Sequence, residues 1–192
     1  MTRTEARLPK LAPSSLDDGQ KALYDTIAGG RRAQGPQLFR LLDDQGCLEG
    51  PFNAFLLQPR LGAALQEVGT AVRYDTSLSQ RAREIAILVV SLHWDSAFEW
   101  YAHEAVARHV GVTDAELAGL REHRWEVFAA EEAAVARTTQ ALASTGDLDD
   151  DQYSRAVEVL GQPGLFELLT LVGYYAALAL QLRVFRVSAP PS

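Results

Sequence analysis

Three ionisable side chains near the middle of the chain have the types and spacing for proton transfer. In the stretch Arg81 to Val110, R-A-R-E-I-A-I-L-V-V-S-L-H-W-D-S-A-F-E-W-Y-A-H-E-A-V-A-R-H-V, Glu99 and His103 stand four residues apart. On a helix starting near Ser96, the residues Ser96, Glu99, His103 and Val106 share one face, so the carboxylate and the imidazole are within reach of each other. Glu84 lies twelve residues before Ser96. That is too far for the same turn, but an antiparallel or crossing second helix would bring its carboxylate to the same place. An imidazole of pKa about 6.5 gives or takes a proton near neutral pH, and a paired Glu99 would favour its charged form. Glu84 is followed directly by apolar residues and is expected to be buried, which can raise a carboxyl pKa by up to about 3–5 units and make it a proton donor. The chemistry these groups offer is general acid/base catalysis, typically contributing about 10²–10⁴-fold. Nucleophilic attack by Ser96 is disfavoured, because His103 is about two helical turns away.

Each of these residues also has a plain structural reading. S-A-F-E, residues 96–99, is a capping box in which the serine caps the helix start and the glutamate reaches back. Glu84 suits the first turn of a helix, where the dipole favours negative charge. His93, Trp94, Trp100 and Tyr101 read as packing or pocket wall, with His93 and Trp100 the ones expected to touch a substrate along with Ser96. Tyr174 and Tyr175 point different ways on a helix, so only one of them, taken as Tyr174, is expected at the same cavity. Glu99 and His103 have a spacing seen in zinc helices, but no second histidine follows, so no metal site is expected.

The elements that must position these groups all read as helices. Ser14 to Asp18 supply caps for a first helix over about 17–28, ended by Gly29-Gly30. Residues 31–50 mix Gly, Pro and charge around Leu38, Phe39, Leu41 and Leu42, and fit either a short helix or a folded loop. In G-P-F-N-A-F-L-L-Q-P the first proline suits a helix start, and Pro59 is expected to stop or kink what began. Leu61, Leu65, Val68 and Val72 predict an amphipathic helix over 60–73. Ser79 starts the helix that carries Glu84, His93-Trp94-Asp95 turns into the next, and Gly111 closes it. Thr113 to Glu116 is a capping box for a short helix to about Glu122. E-E-A-A-V-A-R-T-T-Q-A-L-A runs as helix to Ser144, with Gly146 beyond. Asp149 to Gln152 caps a helix stopping near Gly161-Gln162-Pro163, and a last helix spans about 164–184. No run alternates as a half-buried strand does, and no phosphate-binding glycine loop is present. The fold class is all-α, as one domain over 19–186, with an N-terminal arm at 1–18 and a tail at 187–192.

With 192 residues, 47% apolar and 22% charged, the chain can bury one real core. A net charge of −7 without a Lys/Arg cluster argues against nucleic acid as a partner. The single cysteine, Cys47, cannot form an internal disulfide, which fits a reducing cytoplasm. M-T-R-T-E-A-R-L-P-K has no apolar h-region, so no secretory signal is expected. Leu165 to Leu180 is the most apolar run, but Glu167 interrupts it and it falls short of the roughly 20 residues a membrane span needs. It reads as a buried core helix, and no membrane is expected as partner.

The central stretch resembles the signature of the carboxymuconolactone decarboxylase and alkylhydroperoxidase D (AhpD) superfamily. Redox members of that superfamily carry Glu, then Cys, Cys and His at the places that read here Glu84, Ser96, Glu99 and His103, so both thiols are missing. Glu99-Trp100 is closer to the decarboxylase-like branch, and the resemblance extends from Gly50-Pro51-Phe52-Asn53-Ala54-Phe55 to Gly173-Tyr174-Tyr175. It implies an AhpD-like helical bundle, a homo-oligomer (trimer or hexamer) and a cofactor-free enzyme similar to 4-carboxymuconolactone decarboxylase. Such an enzyme would act on a small lactone or keto acid, with Glu84, Glu99 and His103 handling protons. Two other readings are an alkylhydroperoxidase-like antioxidant, which needs the absent thiols, and a non-catalytic binding or assembly protein on the same scaffold.

Overall fold

The computed structural model describes residues 6–34 and 36–190. Among the described residues there are eight α-helices: α1 (Asp18–Ala28), α2 (Pro51–Phe55), α3 (Pro59–Tyr74), α4 (Gln80–His93), α5 (Ala97–His109), α6 (Asp114–Arg121), α7 (Ala130–Thr145) and α8 (Asp150–Phe185). Among the described residues there is no strand, only one isolated bridge between Leu42 and Leu48. The described residues between 31 and 50 form a folded loop with a short 3-10 turn at Arg31–Ala33. The arm expected at 1–18 and the tail at 187–192 include residues 1–5 and 191–192, which lie outside the described ones.

Local signals account for most helix starts. Capping boxes form at Asp17 with Gln20, Thr113 with Glu116 and Asp149 with Gln152, and the Ser79 side chain accepts from the Ala82 amide. Pro51 and Pro59 sit in the first turns of α2 and α3. α2 ends before Pro59, as expected, and Pro59 also starts α3, since its missing N–H costs nothing in a first turn. Gly146 ends α7 in the left-handed conformation. α8 changes direction at Gly161, whose φ of 68° a side chain would resist. This is the break expected at Gly161-Gln162-Pro163.

α4 is the central element. Every residue from Ala82 to Ser91 is buried, as in a helix surrounded on all sides. It packs on α5, α6, α7 and α8 and contributes to both main clusters of the core. Glu84 is therefore carried into the interior by the burial of its neighbours. α8 is long and apolar enough to cross a membrane, with mean hydropathy 1.6 over its most apolar window, but half of that window is buried in the protein. Leu168, Leu171, Leu178 and Leu182 face α3, α4 and α7 or the cluster beneath α5, so α8 is a core helix.

Candidate active site

The turn between α4 and α5 sets the geometry. Asp95 takes a positive φ of 51°, tolerable for a short polar side chain, and the Ser96 amide donates back to the Ser91 carbonyl at 2.9 Å. The chain doubles back, with Glu84 about 13–14 Å before the end of α4 and His103 about 9 Å past the start of α5 at 1.5 Å per residue. Their side chains meet: His103 Nδ1 is 2.7 Å from Glu84 Oε2, and both groups are buried.

His103 therefore pairs with Glu84 and not with Glu99, which corrects the pairing expected from the four-residue spacing. Burial lowers the His103 pKa, and Arg73 and Arg32 act the same way, against the raising effect of Glu84. The imidazole is neutral at neutral pH, with Nδ1–H donating to the Glu84 carboxylate and Nε2 left as the basic nitrogen. The imidazolium expected at His103 is corrected accordingly.

Glu99 is buried, and neither carboxyl oxygen has a hydrogen-bond partner. Burial raises its pKa to about 8, against the lowering effect of the nearby Ser96 hydroxyl. Glu84, the expected proton donor, is thus engaged by the imidazole, and Glu99 is the buried carboxyl of the site without a partner. The capping box read from S-A-F-E does not form. Ser96 holds the cap position of α5 without a side-chain cap bond, and its hydroxyl is buried without a partner.

Glu99 and His103 line an inner cavity of about 30 Å³, room for a water or two, together with Phe98, Ala102, Tyr174 and Tyr175. Both tyrosines reach it, although only one was expected. α8 is buried on a wide arc here, and the two rings stand edge to face at 5.3 Å, with Tyr175 packed edge to face on His103 at 5.1 Å. Burial raises both phenol pKa values, so both hydroxyls stay protonated. The Tyr174 hydroxyl has no partner within the protein. It occupies the space beside Gly69 of α3, where a Cβ would come within 2.2 Å of the oxygen.

An outer cavity of about 240 Å³ adjoins the inner one, since Arg32, Phe39 and Arg73 line both. Glu84 is on its wall with Arg31, Arg83 and His109. The buried pair thus spans the partition, with Glu84 on the outer side and His103 on the inner. None of these arginines was singled out from sequence; they come from α3, α4 and the 31–50 loop, and no local motif joins them.

Two residues expected at the substrate are elsewhere. His93 is exposed at the end of α4, edge to face with Trp94 at 5.9 Å. Trp100 points from the opposite face of α5, where its indole N–H donates to Glu104 and Arg121 stacks over its ring at 4.0 Å. Among the described residues no cluster of three or more His, Cys, Asp or Glu is placed to hold a metal ion.

Fold and site together define an all-helical protein built around a buried carboxylate–imidazole pair. Residues 59–144, from α3 to α7, match the model of the carboxymuconolactone decarboxylase family. Over that segment the chain is similar to the carboxymuconolactone decarboxylase family, and its fold is that of AhpD-like helical proteins. A protein of unknown function from Agrobacterium tumefaciens superposes with a TM-score of 0.67 at 17% identity, covering 73% of this chain and 97% of its own. An uncharacterised peroxidase-related protein from Ralstonia eutropha JMP134, with an AhpD core, reaches 0.76 at 10% identity and covers 96% of this chain and 92% of its own. The debrominase Bmp8, as a cysteine variant in complex with 2,3,4-tribromopyrrole, reaches 0.74 at 10% identity and covers 97% and 94%. At these identities the likeness is one of fold. No curated protein sequence matches the chain.

Proposed function

We propose that this protein is a cofactor-free acid/base enzyme resembling 4-carboxymuconolactone decarboxylase, acting on a small lactone or keto acid by decarboxylation or a related lyase, isomerase or hydrolase step. The observation that carries this reading is one cavity holding a neutral acid, Glu99, and a neutral base, His103, whose tautomer Glu84 fixes. An acid and a base of displaced pKa in one enclosed site are what proton transfer at neutral pH requires. In a decarboxylation, the carboxylate leaves as CO₂, its electron pair stays on the adjacent carbon, and Glu99 delivers the proton to that carbon. Water then reprotonates Glu99. The Tyr174 hydroxyl, without a partner in the protein, is free to donate to the carbonyl oxygen as charge develops there. For a proton shift without loss of CO₂, His103 Nε2 takes the proton and Glu99 returns one.

A screen of small lactones and β-keto acids for CO₂ release or isomerisation tests this reading. Glu99→Gln and His103→Ala should each abolish turnover while the protein stays folded; activity retained in both removes it. The alkylhydroperoxidase reading finds less support, because no cysteine lines either cavity and Cys47 is buried in the 31–50 loop. Hydroperoxide consumption lost in Cys47→Ser would restore it. Apolar side chains at Phe166, Leu169, Leu180 and Val184 lie exposed along α8 at heptad-like intervals, with Leu61 and Val68 exposed on α3. They support a homo-oligomer, trimer or hexamer. A cytoplasmic location fits the reduced, buried Cys47.

A further inference from the structure

The outer cavity concentrates positive charge that the acid/base machinery does not use. Arg31, Arg32, Arg73 and Arg83 all line it, and Glu84, already engaged by His103, is the carboxylate on its wall. In a chain of net charge −7 this is a local reversal of sign. The arginines are only partly satisfied: Arg73 is held by Tyr175 and by the Glu84 charge, and among the described residues Glu84 is the one carboxylate on the wall that the four guanidiniums share. Arg32 donates to the neutral Gln66 amide oxygen at 2.7 Å, and Arg83 donates to the Thr76 hydroxyl and the Leu78 carbonyl while its buried Nε has no partner. Arg31 reaches a carboxylate, Asp75, at 3.4 Å, but both side chains are more than half exposed and the pair is weak. A guanidinium desolvated without a counter-charge is costly, and a bound anion removes that cost. Guanidinium groups match the planar, bidentate geometry of oxyanions.

We propose that the outer cavity is a binding site for a small oxyanion, a carboxylate or a phosphate. Its 240 Å³ lies below the roughly 300–1,000 Å³ of pockets that hold drug-sized ligands, so the ligand is small. Arg32 and Arg73 also line the inner cavity, so an anion they hold stands beside the small space, a water or two in size, that Glu99 and His103 line. The inference deepens the proposed function by giving its substrate an anionic group, but it rests on the charges of the cavity and is tested by binding rather than turnover.

Isothermal titration of the full-length protein with succinate, inorganic phosphate and the neutral dimethyl succinate tests it. Binding of at least one anion, weakened by added salt and absent for the diester, is expected; tighter succinate points to an organic acid and tighter phosphate to a phosphoester. Arg73→Met should weaken binding at least tenfold. Arg31→Gln, at a position 58% exposed and so safe for folding, should weaken it about two- to fivefold by the scale of a partly screened charge. Glu84→Gln, which removes the negative charge from the cavity wall, should bind the anion more tightly than wild type. A reaction assay that fails while these shifts hold removes only the proposed chemistry. Binding of neither anion, or equal binding of the diester, or wild-type affinity in the Arg31→Gln and Arg73→Met proteins, overturns the site.

Discussion

Glu84 Oε2 and His103 Nδ1 meet at 2.7 Å across the crossing of α4 and α5, and both side chains are below a tenth exposed. Glu84→Gln keeps an acceptor for Nδ1–H but removes the charge. It should lower kcat about 10²-fold or more with little change in melting temperature. Glu84→Ala strands the N–H as well and should cost about 1–3 kcal/mol of stability. Steady-state kinetics with thermal melts separate the two effects, and imidazole nitrogen shifts report the tautomer directly.

Glu99 makes stability depend on pH in a defined sense. Its folded pKa of about 8 lies above the ordinary 4.5, so the unfolded chain releases this proton first. Stability from this group is full below 4.5 and declines as pH rises towards 8. His103, lowered by burial, works oppositely and only below its ordinary 6.5. Between about 6.5 and 8 the Glu99 effect acts alone of the two, on the order of a kcal/mol per pH unit. Melts of wild type should therefore fall across this window relative to Glu99→Gln, and parallel curves would exclude a protonated Glu99.

The same proton sets the alkaline limb of activity. Turnover that uses Glu99 as acid should fall above about pH 8, where the group ionises in the free protein. A kcat/KM profile flat from pH 7 to 10 would exclude Glu99 as the donor.

Gly69 and Tyr174 are coupled by space. A Cβ at residue 69 would stand 2.2 Å from the Tyr174 hydroxyl and 2.9 Å from Arg32 Nη2. Gly69→Ala should cost about 1–3 kcal/mol by overpacking. Adding Tyr174→Phe removes the nearest atom and should recover part of that loss, a non-additivity that a double-mutant cycle on denaturant midpoints detects.

Phe166, 69% exposed, is the most exposed large apolar side chain of the apolar face of α8. If that face joins copies, Phe166→Glu should reduce the mass seen by light scattering without lowering helix content. An unchanged mass would place the interface elsewhere.

Helix starts, the break at Gly161 and the α4–α5 turn were legible in the sequence because they depend on neighbours a few residues apart: caps, prolines and a left-handed glycine. So was the stretch that carries Glu84, Glu99 and His103, since its residue types and intervals are local properties. Which carboxylate pairs with the imidazole was not. Helical spacing favoured Glu99, four residues away, and only the crossing angle of α4 on α5 gave that place to Glu84 and left Glu99 buried, unpartnered and protonated. The arginines of the outer cavity lie on three separate elements, and the seat that Gly69 makes for Tyr174 joins residues from α3 and α8. Such juxtapositions have no signature along the chain, because they are fixed by how helices pack to bury their apolar faces and not by any residue's immediate neighbours.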